Sequence, residues 1–265
     1  MRYKFVTLLL LMLLAACKQT DEKSSNVVVS AEGIHKDSVS PMSEADIKIL
    51  KDSMVFDQLA VRFLLPLADS TGGKMYFSVN ALETVATIAK IIKNHATDSA
   101  DIVLLIDKTG SMEDDIAEVK KSLTAITNEV SRFQNIQMAV ATYGDRWSEP
   151  DDWFDMIDLT NDYSKIKKRI NRIEITGGGD AEESVYDGLF EVLKRIKWRS
   201  ATKRMILVVG DAPPLIGNLT KHTQEDIFKQ CQKLGIKANL YPIIVGFGGI
   251  SGSTLDTNTY KIIAF

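Results

Sequence analysis

Apolar positions along the chain fall into three regimes. Phe5 to Ala16 is almost continuously apolar, residues 18 to 42 are polar apart from Val27-Val28-Val29, and from residue 43 onward the spacing becomes periodic. Ile47, Leu50, Met54, Leu59 and Phe63 recur at helical intervals, with Ser43 placed to cap the helix and Pro66 to end it. Asp69-Ser70-Thr71-Gly72-Gly73 reads as a turn, and Leu82, Val85, Ile88, Ile91 and Ile92 predict a second helix. Residues 43–99 are therefore expected to be a helical extension. From residue 101 the pattern changes. Ile102–Ile106 and Met205–Val209 are unbroken apolar runs of the kind buried on both faces of a sheet. Ile136–Tyr143 and Leu240–Val245 read as further strands, and the alternating Trp153–Leu159 as an antiparallel neighbour. Between them, helical spacing runs through Ile116–Phe133, Tyr163–Ile173, Val185–Ile196 and Ile227–Leu234. Strands alternating with helices predict an α/β fold, a doubly wound and mostly parallel sheet, over residues 100–265. Loops leaving the C-terminal ends of such strands gather on one edge, where ligands bind.

The N-terminal run changes the picture of where the chain resides. A dozen apolar residues behind Arg2 and Lys4 are too few to span a bilayer, which takes roughly 20, and suit a secretion signal over residues 1–16. Leu13-Leu14-Ala15-Ala16-Cys17 resembles the lipobox of bacterial lipoproteins, which implies lipidation at Cys17; the alternative is an ordinary signal with an incidental cysteine. Residues 17–42 then read as a flexible tether, and Lys18-Gln19 leans by the same resemblance toward the outer membrane. The whole chain carries 32 basic and 35 acidic residues, and cleavage would remove two of the basic ones, so nothing favours nucleic acid as a partner. With Cys17 lipidated, Cys231 has no disulfide mate, and its helical surroundings predict a buried, inert thiol. Gly246 to Gly252 is glycine-rich, and the run from Tyr260 to Phe265 is short and apolar.

Three loops on the predicted strand-end edge are rich in oxygen donors. They are Asp107-Lys108-Thr109-Gly110-Ser111-Met112, Thr176-Gly177-Gly178-Gly179-Asp180 ahead of a helix expected at Ala181, and Gly210-Asp211-Ala212-Pro213-Pro214. Carboxylates and hydroxyls without His or Cys suit a hard cation, Mg²⁺ or else Ca²⁺ or Mn²⁺, and argue against zinc.

The first loop resembles the metal-ion-dependent adhesion site (Asp-x-Ser/Thr-x-Ser) of von Willebrand factor A domains. The three loops together are similar to a subgroup found in hemicentin-type proteins and beside some α-kinases. The resemblance covers residues 100 to 248 and implies that Thr109 and Ser111 offer hydroxyls to the cation. Asp107 and Asp211 would hold it directly or through water, leaving a corner for a partner's carboxylate. Where many members of the family carry Thr in the second loop, this chain has Asp180. Either Asp180 faces the metal, or Thr176 does and Asp180 caps the helix. Glu182 and Glu183 are expected as surface charges of that helix's first turn. Asp145, in Tyr143-Gly144-Asp145, is either a rim residue of the site or a turn acid. The acidic aromatic loop of Trp147, Glu149, Asp151, Asp152 and Trp153 either shapes a partner surface or packs. His35, His95 and His222 are scattered.

These residues imply a non-enzymatic envelope lipoprotein that binds a protein or other anionic ligand through its cation. A Mg²⁺-dependent hydrolase or phosphotransferase is the alternative; Asp107 at a strand end resembles the nucleophile of haloacid-dehalogenase-type phosphatases, but Thr109 stands where that chemistry wants a second Asp. A scaffold with a purely structural metal is the third. No phosphate-cradling Gly-Lys-Ser/Thr loop is present.

Overall fold

A computed structural model describes residues 56–246, except 179, 180, 201 and 234. The side chains of Leu123 and Thr124 are also outside it. The signal segment, Cys17, the tether, residues 43–55 and the glycine-rich end thus lie outside the described residues. Those described belong to one unit spanning Gly33–Ile262.

Among the described residues six strands form the sheet, in the order β1-β6-β5-β2-β3-β4. In chain order they are β1 (Tyr76–Ser78), β2 (Ser99–Asp107), β3 (Asn135–Tyr143), β4 (Phe154–Thr160), β5 (Lys203–Gly210) and β6 (Ala238–Val245). All neighbours pair in parallel except β3 with β4, the antiparallel edge that the alternation predicts. The continuous apolar runs are explained by the pleat. Ile102, Leu104 and Ile106 of β2 enter one core layer, and Val103 and Leu105 the other. The first layer holds α2 (Ala81–His95), α3 (Glu113–Val130) and α4 (Tyr163–Asn171); the second holds α1 (Gln58–Ser70), α5 (Val185–Arg195) and α6 (Gln224–Gln232).

Three expectations change. First, α1 does not stop at Pro66 but continues to Ser70. The proline removes one backbone donor, yet Leu64, Leu67 and Ala68 around it are buried, and the Thr71 hydroxyl closes the helix end on the Leu67 and Ala68 carbonyls (2.7 and 3.0 Å). Asp57 caps its start, accepting from Ala60 N–H at 2.8 Å. Second, the stretch read as purely helical supplies the edge strand β1, which pairs Tyr76–Ser78 with Ile243–Val245. Three residues are too few to show a period, so only the pairing reveals the strand. The turn before it depends on Gly73, where a Cβ would lie 1.7 Å from the Leu240 carbonyl oxygen. Third, α5 starts at Val185, not Ala181. The preceding residues run alongside the third loop: Glu183 N–H donates to Pro213 O (2.9 Å), and Leu215 N–H donates to Glu183 O (2.8 Å). Glu183 is consequently buried, not a surface charge.

Candidate metal centre

Asp107 is the last residue of β2, the central strand that β3 and β5 flank. Its Oδ1 accepts from both the N–H (2.9 Å) and the hydroxyl (2.8 Å) of Thr109. This local ring turns the chain so that the Thr109 and Ser111 hydroxyls lie 3.4 Å apart. A short 3-10 turn, Gly110–Met112, then leads into α3, and buried Met112 pins it to the core. Asp211 follows β5 directly on the neighbouring strand. Gly210 makes their approach possible, because a Cβ there would stand 2.6 Å from the Tyr143 hydroxyl and 3.3 Å from Asp107 Oδ2.

Asp107 is fully buried and Asp211 nearly so (0% and 4% exposed), which sets their electrostatics. Burial, and then the charge of Asp211, push the Asp107 carboxyl up to about 7. Burial likewise raises Asp211, offset in part by a hydrogen bond from the Ser111 hydroxyl and reinforced by Asp57 and Asp114. Burial and the neighbouring Asp107 hold the Tyr143 hydroxyl protonated well beyond its ordinary range. Asp107 Oδ2, Asp211 Oδ1 and the Thr176 hydroxyl are buried with no hydrogen-bond partner among the described residues. Unpaired buried oxygens cost on the order of 1–3 kcal/mol each, more when charged. Two such carboxylates side by side, with two hydroxyls adjoining, form a donor set that fits a divalent cation. Among the described residues no three His, Cys, Asp or Glu side chains gather at one point.

The second loop packs directly on the first. Thr176 N–H donates to Lys108 O at 3.0 Å. Gly177 and Gly178 both have positive φ (70° and 92°), and a Cβ on Gly178 would lie 3.2 Å from Gly110 N. The glycines therefore serve both a left-handed backbone and a close loop-to-loop contact. Asp180 lies outside the described residues, whereas Thr176, the other candidate, presents the unpartnered hydroxyl.

Asp145 adopts the geometry of a turn cap: its carboxylate accepts from Trp147 N–H (2.8 Å) and Ser148 N–H (3.2 Å). Arg146 lies 5.9 Å from both the Trp147 and Trp153 rings and pairs with Asp187. His95 bonds the Tyr76 hydroxyl (2.6 Å) and His222 stacks on Phe190; neither approaches a metal role. Cys231 is buried in α6, its thiol pushed up to about 12 by burial.

Four residues about the site carry no motif. Lys108 is buried, and its ammonium reaches the Asp152 carbonyl and carboxylate, the latter at 2.9 Å. Asp115 accepts from the Thr84 hydroxyl at 2.8 Å and is pushed up to about 6, chiefly by burial. Asp57 and Tyr143 act on Asp211 and Asp107 from other elements. Their roles depend on neighbours distant in sequence; the one local signal is an acidic residue, Asp115, on the predicted core-facing helix.

The von Willebrand factor A domain model matches residues 101–237. A curated relative, the alpha-protein kinase vwkA of Dictyostelium discoideum, is 23% identical over 121 residues, or 44% of this chain. The match spans only 19% of that kinase's length. Similar solved structures include the pilus adhesin SpaC of Lactobacillus rhamnosus GG (18% identity, TM-score 0.34, 43% of this chain and 14% of that one). The conserved hypothetical protein BatB of Bacteroides thetaiotaomicron aligns at 14% identity and TM-score 0.38, over 56% of this chain and 65% of its own. Proximal thread matrix protein 1 of the mussel byssus, solved with zinc in its metal-ion-dependent adhesion site, aligns at 14% identity and TM-score 0.36, over 58% and 43%. With the family model covering more than half of its length, this chain belongs to the von Willebrand factor A domain family.

Proposed function

We propose that the chain is a cell-envelope lipoprotein that captures a protein or other anionic ligand through a divalent cation, Mg²⁺ in the first instance. One observation carries this reading: the partnerless oxygens Asp107 Oδ2 and Asp211 Oδ1, buried at the ends of adjacent strands beside the Thr109 and Ser111 hydroxyls. Asp107, Thr109, Ser111 and Asp211 would hold the ion, with Thr176 or Asp180 contributing from the second loop. When bound, the cation offers an electrophilic corner that a partner's Asp or Glu carboxylate can take. Thr109 keeps Asp107 oriented through its Oδ1, and with Thr176 rather than Asp180 on the ion the protein's own anions are few enough to leave it attractive to an external one. The role is capture rather than catalysis. Lipid at Cys17 would place the domain at a membrane surface, the outer membrane by preference. Among the described residues no helix is long and apolar enough to cross a membrane.

Thermal melts with and without Mg²⁺ test the cation. At a concentration a hundred times its Kd, mass action stabilises the folded chain by about 2.7 kcal/mol, raising the melting point by about 5–10 °C. Asp107→Ala should show no such rise. An equal rise in both proteins would remove the proposed site.

A further inference from the structure

A cavity of about 190 Å³ opens between the β3–β4 loop, α5 and the segment joining β5 to α6. It shares its supports with the metal loops. Ser148 Oγ would lie 3.5 Å from a Cβ on Gly177, and Arg146 N–H donates to Ser184 Oγ at 3.0 Å, one residue from Glu183 and its bridge to the third loop. Its volume falls short of the roughly 300–1,000 Å³ of drug-sized sites and suits one inserted side chain.

The walls define which side chain. Trp153 and His222 contribute flat rings, and His222 is held by stacking on Phe190 with centroids 3.5 Å apart. Arg146 and Asp187 also line the cavity but are committed to each other. The Asp187 Oδ1 is further occupied by the Thr220 hydroxyl and the Lys221 and His222 N–H groups (3.1, 3.0 and 3.1 Å). Two charged groups stay available. Lys221 makes no ion pair among the described residues, and Glu191 has only a loose one, 3.7 Å from Arg195. One spare donor and one spare acceptor leave the cavity without a strong preference for either sign of charge. They call for a planar apolar group whose edge both donates and accepts.

We propose that this cavity takes a tyrosine side chain of a protein partner, with its ring against Trp153 and its hydroxyl between Lys221 and Glu191. Tyrosine combines apolar area with such a polar tip, and aromatic anchors in pockets dominate interface energies. The surface beside the cavity is apolar as well: Trp147, Ile216 and Leu219 are each more than half exposed, and the Trp147 indole N–H ties the two segments by donating to Leu219 O at 2.5 Å. The cavity stands on its own lining and does not rest on the cation reading.

The test titrates the full chain with N-acetyl-L-tyrosinamide and N-acetyl-L-phenylalaninamide, with Mg²⁺ and with EDTA, following the indole N–H signals by NMR. Saturable binding that shifts Trp153 is expected in both conditions. The phenylalanine probe should bind roughly fivefold more weakly, the worth of about one net hydrogen bond. Lys221→Met, an exposed substitution that leaves the core untouched, should narrow that preference, since Glu191 alone then meets the hydroxyl, and Trp153→Leu should abolish the binding heat seen by calorimetry. No saturable shift at Trp153, or equal affinity for the two probes, overturns the assignment. Binding in EDTA by a protein that shows no Mg²⁺ response would retain the cavity and discard the cation site; the converse result would do the opposite.

Discussion

Asp107 shows how much one carboxyl can cost a fold that lacks its counter-charge. Its carboxyl, raised to about 7, keeps its proton in the folded chain over a range where the unfolded chain, titrating near 4, has lost it. Asp115, raised to about 6, and Asp211, also raised, have the same sign. For groups raised by folding, the contribution to stability is complete below about pH 4 and is lost as pH rises through about 7. In EDTA the protein should therefore melt at a higher temperature at pH 5 than at pH 8. Asp107→Asn, which keeps the shape and removes the charge, should narrow that difference and raise the melting point at pH 8. An unchanged pH dependence would mean that Asp107 is not ionised against its surroundings. The residue types at this centre were readable from the chain, because Asp-x-Thr-x-Ser behind a buried strand is a local pattern. That Asp107 and Asp211 would each retain a partnerless oxygen was not readable. Desolvation depends on what packs above a residue, and here that is supplied by Gly210, Tyr143 and the second loop.

Among the elements, β2 is held at both ends by polar devices. Asp107 terminates it at the candidate site. At the opposite edge Asp101, fully buried, accepts from Arg199 Nε (2.5 Å), Arg199 N–H (2.9 Å) and the Thr202 hydroxyl (3.1 Å). Arg199 goes on to the Ala100 and Asn135 carbonyls (2.8 and 3.0 Å), joining β2, β3 and the connection into β5. Removing one partner of a fully buried pair costs about 3–5 kcal/mol; since Arg199 is 22% exposed, Asp101→Ala should cost nearer 2–3 kcal/mol, measured by denaturant unfolding. A loss within 0.5 kcal/mol would show that the cluster adds no stability. The central strands and most helices follow from apolar spacing, since each buries its own face. The start of α5 was misplaced because Thr176 to Asp180 looks like a helix entry, yet Glu183 is drawn into a bridge with Pro214 before the helix begins.

For the whole molecule, both core layers depend on the segment ahead of residue 99. α1 covers one face, α2 the other, and β1 closes the β6 edge. The von Willebrand factor A domain match starts at residue 101, so this N-terminal cover lies outside it while sharing its core. If Cys17 carries lipid, as proposed, the domain should fractionate with membranes, and Cys17→Ser should move it to the soluble fraction with its Mg²⁺-dependent melt unchanged. Membrane association equal in both proteins would rule out Cys17 as the anchor.

The chain by itself determined the alternation of strands and helices, the antiparallel edge and the order of the three oxygen-rich loops. Each of these is written in spacing over a few residues, where the period of burial matches the period of the backbone. Tertiary structure alone decided that β1 exists, that Glu183 is buried, that Asp107 and Asp211 each keep a buried oxygen without a partner, and that a cavity lies between Trp153 and His222. All four are contacts between segments far apart in sequence, whose energy comes from water excluded on assembly and which therefore leave no periodic trace along the chain.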